Sequence, residues 1–254
     1  MNYAIVAPFI QAVGIGSITD SLAAIHKCVF QDKTATLAEL VRALDRDFEG
    51  DEPLRSRLVH RMPKYGNDDD AADQIMRRVF DAAFQRIDGR PSVKGGLYRL
   101  EMLPTTSHIY FGSMCIASAD GRKAGAPLSE GISPVQGADT KGPTAVLRSA
   151  SKMDHVKTGG TLLNMKLTPQ LLAGDEGIAR AAQLVRTYFK ADGHHIQFNV
   201  VTADTLKAAQ AHPDDYRGLI VRVAGYSDYF CDLSEALPGR DHRAHRARRT
   251  LEAG

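Results

Sequence analysis

Between Thr161 and Val223 the chain sets apolar runs and helical stretches in turn, and this alternation restricts the architecture more than any other feature. Residues 161–167 (TLLNMKL) and 195–201 (HIQFNVV) have the composition of strands, and Leu219, Ile220, Val221 and Val223 have that of a buried one. Between them, residues 175–192 place Ile178, Ala182, Val185 and Phe189 on one helical face, with Gly193 as the stop. Residues 204–211 form a shorter helix. Strands alternating with helices over this length imply an α/β fold.

The first half reads mostly as helix. Residues 1–18 suggest strand and loop, with Gly14 and Gly16 allowing close approach, and Thr19 or Asp20 then caps a helix facing Leu22, Ile25 and Val29 inward. Thr36 and Glu39 have capping-box spacing ahead of Leu37, Leu40, Val41, Leu44 and Phe48. In PKYGNDDD, residues 63–70, three adjacent carboxylates invite a metal reading. Consecutive residues diverge on a helix, however, and acids at its start favour the positive dipole end, so capping is the reading preferred. The following stripe of Ala72, Ile75, Met76, Val79, Phe80, Ala83, Phe84 and Ile87 is core. Residues 108–111 suggest a short strand. Residues 119–142, dense in glycine and proline, suggest a long ordered loop without a GxxxxGK[ST] phosphate cradle. Pro143 suits a first helical turn, with a short helix through Lys152.

With 254 residues, 43% hydrophobic and 24% charged, the chain can bury a substantial core. Its start lacks a basic leader, contains Pro8 and is too glycine-broken to span a bilayer, so it reads as core and the chain as cytoplasmic, with no membrane partner. Cys28, Cys115 and Cys231 are far apart, which argues against disulfides and structural zinc. The net charge of +2 comes from the tail beyond Pro238, where five arginines face Asp241 and Glu252, so nucleic acid is a poor partner for the body of the chain.

Gly225 interrupts the last strand in RVAGYS, residues 222–227. Read by itself it is a turn glycine or a close backbone contact. The string nevertheless resembles the signature of the glycyl radical enzymes, the family of pyruvate formate-lyase. DSLAAIHKCVF, PKYGNDDD, ADGRKAGAPLSEGISPVQG, KGPTAVLRSASKMDH, GTLLNMK, HHIQFNVV and HPDDYRGLIVRVAGYS each resemble a family segment, in the family's order. The likeness is strongest to the dehydratase branch, which includes the glycerol and hydroxyproline dehydratases. Glycine suits a backbone radical because the Cα must flatten, and a side chain would clash as it did so.

The resemblance implies the C-terminal part of a ten-stranded α/β barrel, with residues 1–125 completing the barrel domain and 126–254 forming the glycine radical domain. It implies that Gly225 holds the radical, with Arg222, Tyr226, Ser227, His194 and His195 as loop supports. No bound cofactor or metal is expected, since a separate activating enzyme with an iron–sulfur cluster and S-adenosylmethionine installs the radical. In the family, a thiol on a second loop passes hydrogen between the glycine and a small polar substrate. That loop is expected in an upstream fragment, and the complete enzyme is expected to be a homodimer. Cys115 and Cys231 lack the close downstream glutamate of the family's cysteine loop and are expected to be buried, inert thiols. The competing reading is a non-catalytic spare radical domain or an inactive gene fragment.

The resemblance also implies a shifted reading frame over 238–254, after Leu237. Residues 239–248 can be written GGA CGA GAT CAT CGC GCG CAC CGA GCA CGG, and starting one nucleotide later gives DEIIARTEH, a family-like ending. Sequencing the gene tests this: a shifted frame that does not encode that string refutes it and leaves a solvated basic extension.

Overall fold

The computed structural model describes residues 8–93, 95–222 and 227–231. A short strand β1 (Phe9–Gln11) leads into helix α1 (Ile15–Ile25), which runs on as a π-helical turn over His26–Gln31. Helices α2 (Leu37–Asp45), α3 (Glu52–His60) and α4 (Asp70–Ile87) follow, then β2 (Arg99–Glu101) and α5 (Ser107–Met114). After the long loop come α6 (Pro143–Ala150), β3 (Leu163–Leu167), α7 (Gly174–Lys190), β4 (Ile196–Val200) and α8 (Ala203–Ala211). The hairpin β5 (Ile220–Arg222) and β6 (Ser227–Tyr229) comes last.

The strands form three pairs, β1 with β2 and β3 with β4 in parallel, and β5 with β6 antiparallel. The first two pairs are stitched together. Met102 and Thr161 form a parallel bridge, Gly159 N donates to Leu100 O at 2.9 Å, and Leu162 N donates to Met102 O at 3.2 Å. The hairpin lies beside β4. The spatial order is therefore β1, β2, β3, β4 and then the hairpin, an arc of parallel strands closed at one end by an antiparallel pair.

One face of this arc is the core. Leu100 and Met102 meet Leu163 and Met165, and beneath them lie Met76 and Phe80 of α4, Val146 and Leu147 of α6, and Tyr188 of α7. A second cluster joins Ala24 and Cys28 to Leu40, Phe48 and Leu58. The capping box of α2 is present in both directions, with Glu39 N donating to Thr36 Oγ1 at 3.2 Å and Thr36 N donating to Glu39 Oε2 at 2.8 Å. Asp69 caps α4, accepting from Ala71 N at 3.0 Å, so the acidic run marks a helix start as read. Among the described residues no carboxylate, thiol or imidazole group is gathered as for a metal.

Several expectations are corrected. Helix α1 begins at Ile15, so Thr19 and Asp20 are buried within it rather than capping it. Its cap comes from 112 residues away: Ser17 N donates to Ser129 Oγ, and Ser129 N donates back to Ser17 Oγ at 2.9 Å. Residues 108–111 belong to helix α5, not a strand, because Gly112 packs on the backbone of Ala126 and Pro127 and Leu128 N donates to His108 O. On α7 the inward residues are Gly177 and Tyr188, whereas Ile178 and Phe189 are exposed. That helix turns at Asp192, which has φ 62°, while Gly193 is the residue on which the Tyr188 ring rests. Ile220 of the expected buried strand is 58% exposed, and Cys115 is exposed, not buried.

Gly131 adopts φ +52°, and a Cβ there would stand 2.3 Å from Leu162 O. Gly137 adopts φ +81° with open space around it. In urea unfolding of the full chain, Gly131→Ala should therefore cost about 2–4 kcal/mol and Gly137→Ala about 1 kcal/mol. Equal losses would show that the contact between the loop and β3 yields.

Candidate functional site

The long loop before α6 has no regular structure and is held by side chains. Asn67 is its anchor. Its amide donates to Ala138 O at 2.7 Å, and its oxygen accepts from Thr140 N at 2.8 Å and Lys141 N at 3.0 Å. The Asp120–Gly121 turn is gripped from three sides: Arg55 Nε donates to Gly121 O, Lys64 Nζ to Asp120 O, and Asp120 N to Ser21 Oγ. Inside the turn Arg122 is buried, its backbone N donating to Asp120 Oδ1 at 3.3 Å while its guanidinium bonds elsewhere. It donates to Ser118 Oγ at 3.0 Å, to Lys123 O at 3.1 Å, to Ala126 O at 2.7 Å and to Ile116 O. The guanidinium fork spreads its donors over carbonyls that have no ladder to join. Sequence reading missed Arg122, and the one available signal was a lone arginine inside a glycine-rich stretch.

Carboxylates tie the loop and α6 to the helices. Lys152 Nζ reaches Asp68, Asp70 and Asp73 at 2.9, 2.8 and 2.7 Å. Burial depresses this ammonium, but the three carboxylates more than offset it and its pKa is raised. Asp73 is fully buried, also accepts from Ser149 Oγ at 3.0 Å, and is pushed up by burial against the pull of Lys152. Asp20 accepts from Tyr65 N at 2.8 Å and lies 3.9 Å from Lys64. Burial raises it to about 7, with Lys64 opposing.

Glu130 lies beside β3, against Asn164. Burial pushes it up to about 7, offset in part by a hydrogen bond with Asn164 and by Lys166. It stands over the second face of β3 and β4. In their register Asn164 pairs with Gln197 and Lys166 with Asn199, so this face is polar while Leu163, Met165, Ile196 and Phe198 point to the core.

Near the turn into β4, His155 is fully buried. Its Nε2 lies 3.0 Å from Ala150 O and its Nδ1 2.9 Å from Thr161 Oγ1, which assigns the proton to Nε2. Burial lowers its pKa. The rings of Tyr188 and His194 lie 5.7 and 6.0 Å from it. His194 thus touches the helix-end cluster, and the carbonyl of His195 accepts from Leu163 N at 3.2 Å. Ser227 opens β6 opposite Arg222 of β5, so the hairpin register brackets residues 223–226. Gly225 and Tyr226 lie outside the described residues, as does the side chain of Arg222. Cys231 is buried, donating to Pro213 O at 3.3 Å, and Cys28 lies 3.3 Å from Thr34 Oγ1.

Two family models match the chain: Pyruvate formate lyase-like over residues 1–112 and Glycine radical over residues 128–231. Trans-4-hydroxy-L-proline dehydratase of Clostridioides difficile is 55% identical over 229 residues, covering 90% of this chain and 29% of that protein. Isethionate sulfite-lyase of Bilophila wadsworthia is 42% identical, covering 90% of this chain and 28% of that protein. Among solved structures, hydroxyproline dehydratase from C. difficile with substrate bound superposes with a TM-score of 0.87 at 55% identity, covering 90% of this chain and 29% of that one. The glycerol-bound B12-independent glycerol dehydratase from Clostridium butyricum gives 0.82 at 41% identity, covering 89% and 29%. The chain spans under a third of the length of the relatives it matches.

The buried carboxylates set a pH dependence. Asp20 and Glu130, raised from ordinary carboxylate values to about 7, bind more protons folded than unfolded, so stability falls as pH rises from about 4 to 7. Asp20→Asn keeps the acceptor for Tyr65 N and should flatten this fall. Thermal midpoints measured from pH 4 to 8 check it; identical slopes in variant and parent would refute the assignment.

Proposed function

The chain belongs to the glycyl radical enzymes, in their dehydratase branch, and on that premise we propose that it is the radical-bearing part of a lyase or dehydratase acting on a small polar substrate. The observation that carries this reading is the match of the Glycine radical model through the RVAGYS string, whose flanking residues form the described hairpin β5–β6. The arc of four parallel strands with helices on one side supports a segment of the ten-stranded barrel. We divide the chain at residues 125 and 126, into barrel and radical domains. We assign Arg222, Tyr226 and Ser227 of the RVAGYS string, together with His194 and His195 of the sequence before β4, as supports of the radical-bearing glycine.

An activating enzyme with an iron–sulfur cluster and S-adenosylmethionine removes one hydrogen atom from the Gly225 Cα. The glycyl radical then takes a hydrogen atom from a thiol on a loop that the rest of the enzyme supplies, and the thiyl radical takes one from a substrate carbon. Loss of the adjacent hydroxyl as water, with a proton delivered to it, leaves a product radical that recovers hydrogen from the thiol. The identity of 55% to trans-4-hydroxy-L-proline dehydratase makes a hydroxylated cyclic amino acid the first substrate to test. The complete enzyme works as a cytoplasmic homodimer.

Activated anaerobically together with an upstream fragment carrying the thiol loop, the chain should show a glycyl electron paramagnetic resonance signal that Gly225→Ala abolishes. A signal persisting in that variant refutes the assignment. The 254-residue chain alone should show no turnover. Turnover by it that disappears in Cys115→Ser would instead make Cys115 the thiyl residue.

A further inference from the structure

Asp20 and Lys64 face each other inside the fold at a separation too long for a hydrogen bond. Asp20 is fully buried within α1, its Oδ1 accepting from Tyr65 N at 2.8 Å. Its Oδ2 is buried as well and, among the described residues, has no hydrogen-bond partner. Lys64 Nζ lies 3.9 Å from that oxygen, and the lysine side chain is only 10% exposed. The one hydrogen bond of this ammonium among the described residues runs to Asp120 O at 3.0 Å. An ammonium carries three N–H donors, so two are left over in a site with little access to solvent.

A buried acceptor facing spare donors is costly to leave unsatisfied. Asp20 is 0% exposed, sealed by this chain, so no part of the enzyme outside the chain can reach it as a partner. The surrounding charges restrict what can enter. The Lys64 ammonium repels a cation, and the carboxylates of Asp20, Asp73 and Asp120, which act on one another through space, repel an anion. A separation of 3.9 Å accommodates one non-hydrogen atom between the two groups, at about 2.8 Å from each. The occupant that fits is neutral, one heavy atom in size, and able to accept and donate at once. Water has all three properties.

We propose that Asp20 and Lys64 form a buried water-binding site, in which one water accepts from Lys64 Nζ and donates to Asp20 Oδ2. It stands where α1, the segment before α4 and the Asp120–Gly121 turn meet, and it links the three through Asp20, Lys64 and the Asp120 carbonyl. The water serves both charge states of Asp20. An ionised carboxylate accepts a hydrogen bond from it, and a protonated carboxyl donates one to it, which the Lys64 ammonium could not take. Burial raises Asp20 to about 7, so both states are populated near neutral pH. A direct ion pair with Lys64 would instead favour the ionised form.

Lys64→Arg brings a longer, forked donor within reach of Asp20 Oδ2 and should expel the water. In the 254-residue chain, magnetic relaxation dispersion of the water oxygen counts long-lived waters in parent and variant, and carboxyl NMR follows the titration of Asp20. Expected are one long-lived water fewer in Lys64→Arg and an Asp20 that titrates at lower pH. A crystal structure of the parent should place a solvent oxygen within about 3.2 Å of both Asp20 Oδ2 and Lys64 Nζ. Direct contact of Lys64 Nζ with Asp20 Oδ2 in that crystal structure, or equal water counts in parent and folded variant, would overturn the proposal. If Lys64→Arg does not fold, the crystal structure of the parent decides.

Discussion

The parallel pairing of β3 and β4 is the interaction on which the other parts depend. Its register sends Leu163, Met165, Ile196 and Phe198 to one side, where α4, α6 and α7 supply Met76, Phe80, Val146, Leu147 and Tyr188. A slip of one residue would turn the amides into this core and the leucines out of it, at a cost of several unsatisfied polar groups. The Met102–Thr161 bridge then fixes β2 to the same arc, and through it β1 and the first helices. The hairpin gets its position from β4.

A second constraint is the loop between α5 and α6, whose backbone runs without a ladder. Its peptide groups are satisfied by Asn67, Arg55, Lys64, Arg122 and Ser17, residues contributed by separate parts of the chain. These are side-chain to backbone bonds, each worth about 1 kcal/mol net but costly to remove, because the group left behind stays buried. Lys152 draws three carboxylates of the α4 start onto α6, and only Asp73 among them is fully buried. Most of the worth of that node lies in Asp73, since the exposed Asp70 is screened by solvent.

The sequence made legible whatever local chemistry decides. The Thr36–Glu39 box, the Asp69 start, the α4 stripe and Pro143 at the head of α6 all follow from neighbours a few residues apart. The misread points were set from a distance. The start of α1 depends on Ser129, and α5 replaces a strand because Gly112 meets the backbone of residues 126 and 127. On α7, the regular spacing of Ile178, Ala182, Val185 and Phe189 suggested the buried face, yet Tyr188 is the residue that packs beneath β3. Two apolar stripes share that helix, and no period separates them. Of the site, the glycine string was legible only through family likeness, while Arg122, His155 and Glu130 needed coordinates, since nothing in a sequence says that a lone charged residue will be buried.

The exposed apolar residues bear on how the arc is completed. Tyr110, Phe111, Met114 and Ile116 lie close together along and just after α5, and Ile178 and Phe189 line the outer side of α7. Covering six such side chains, each about half exposed already, would contribute roughly 5–9 kcal/mol. Association of separate parts costs about 4–15 kcal/mol in lost freedom, so apolar burial alone does not secure closure. The amides of β3 and β4 add no open donors to this balance, since Asn164, Gln197 and Asn199 already have partners.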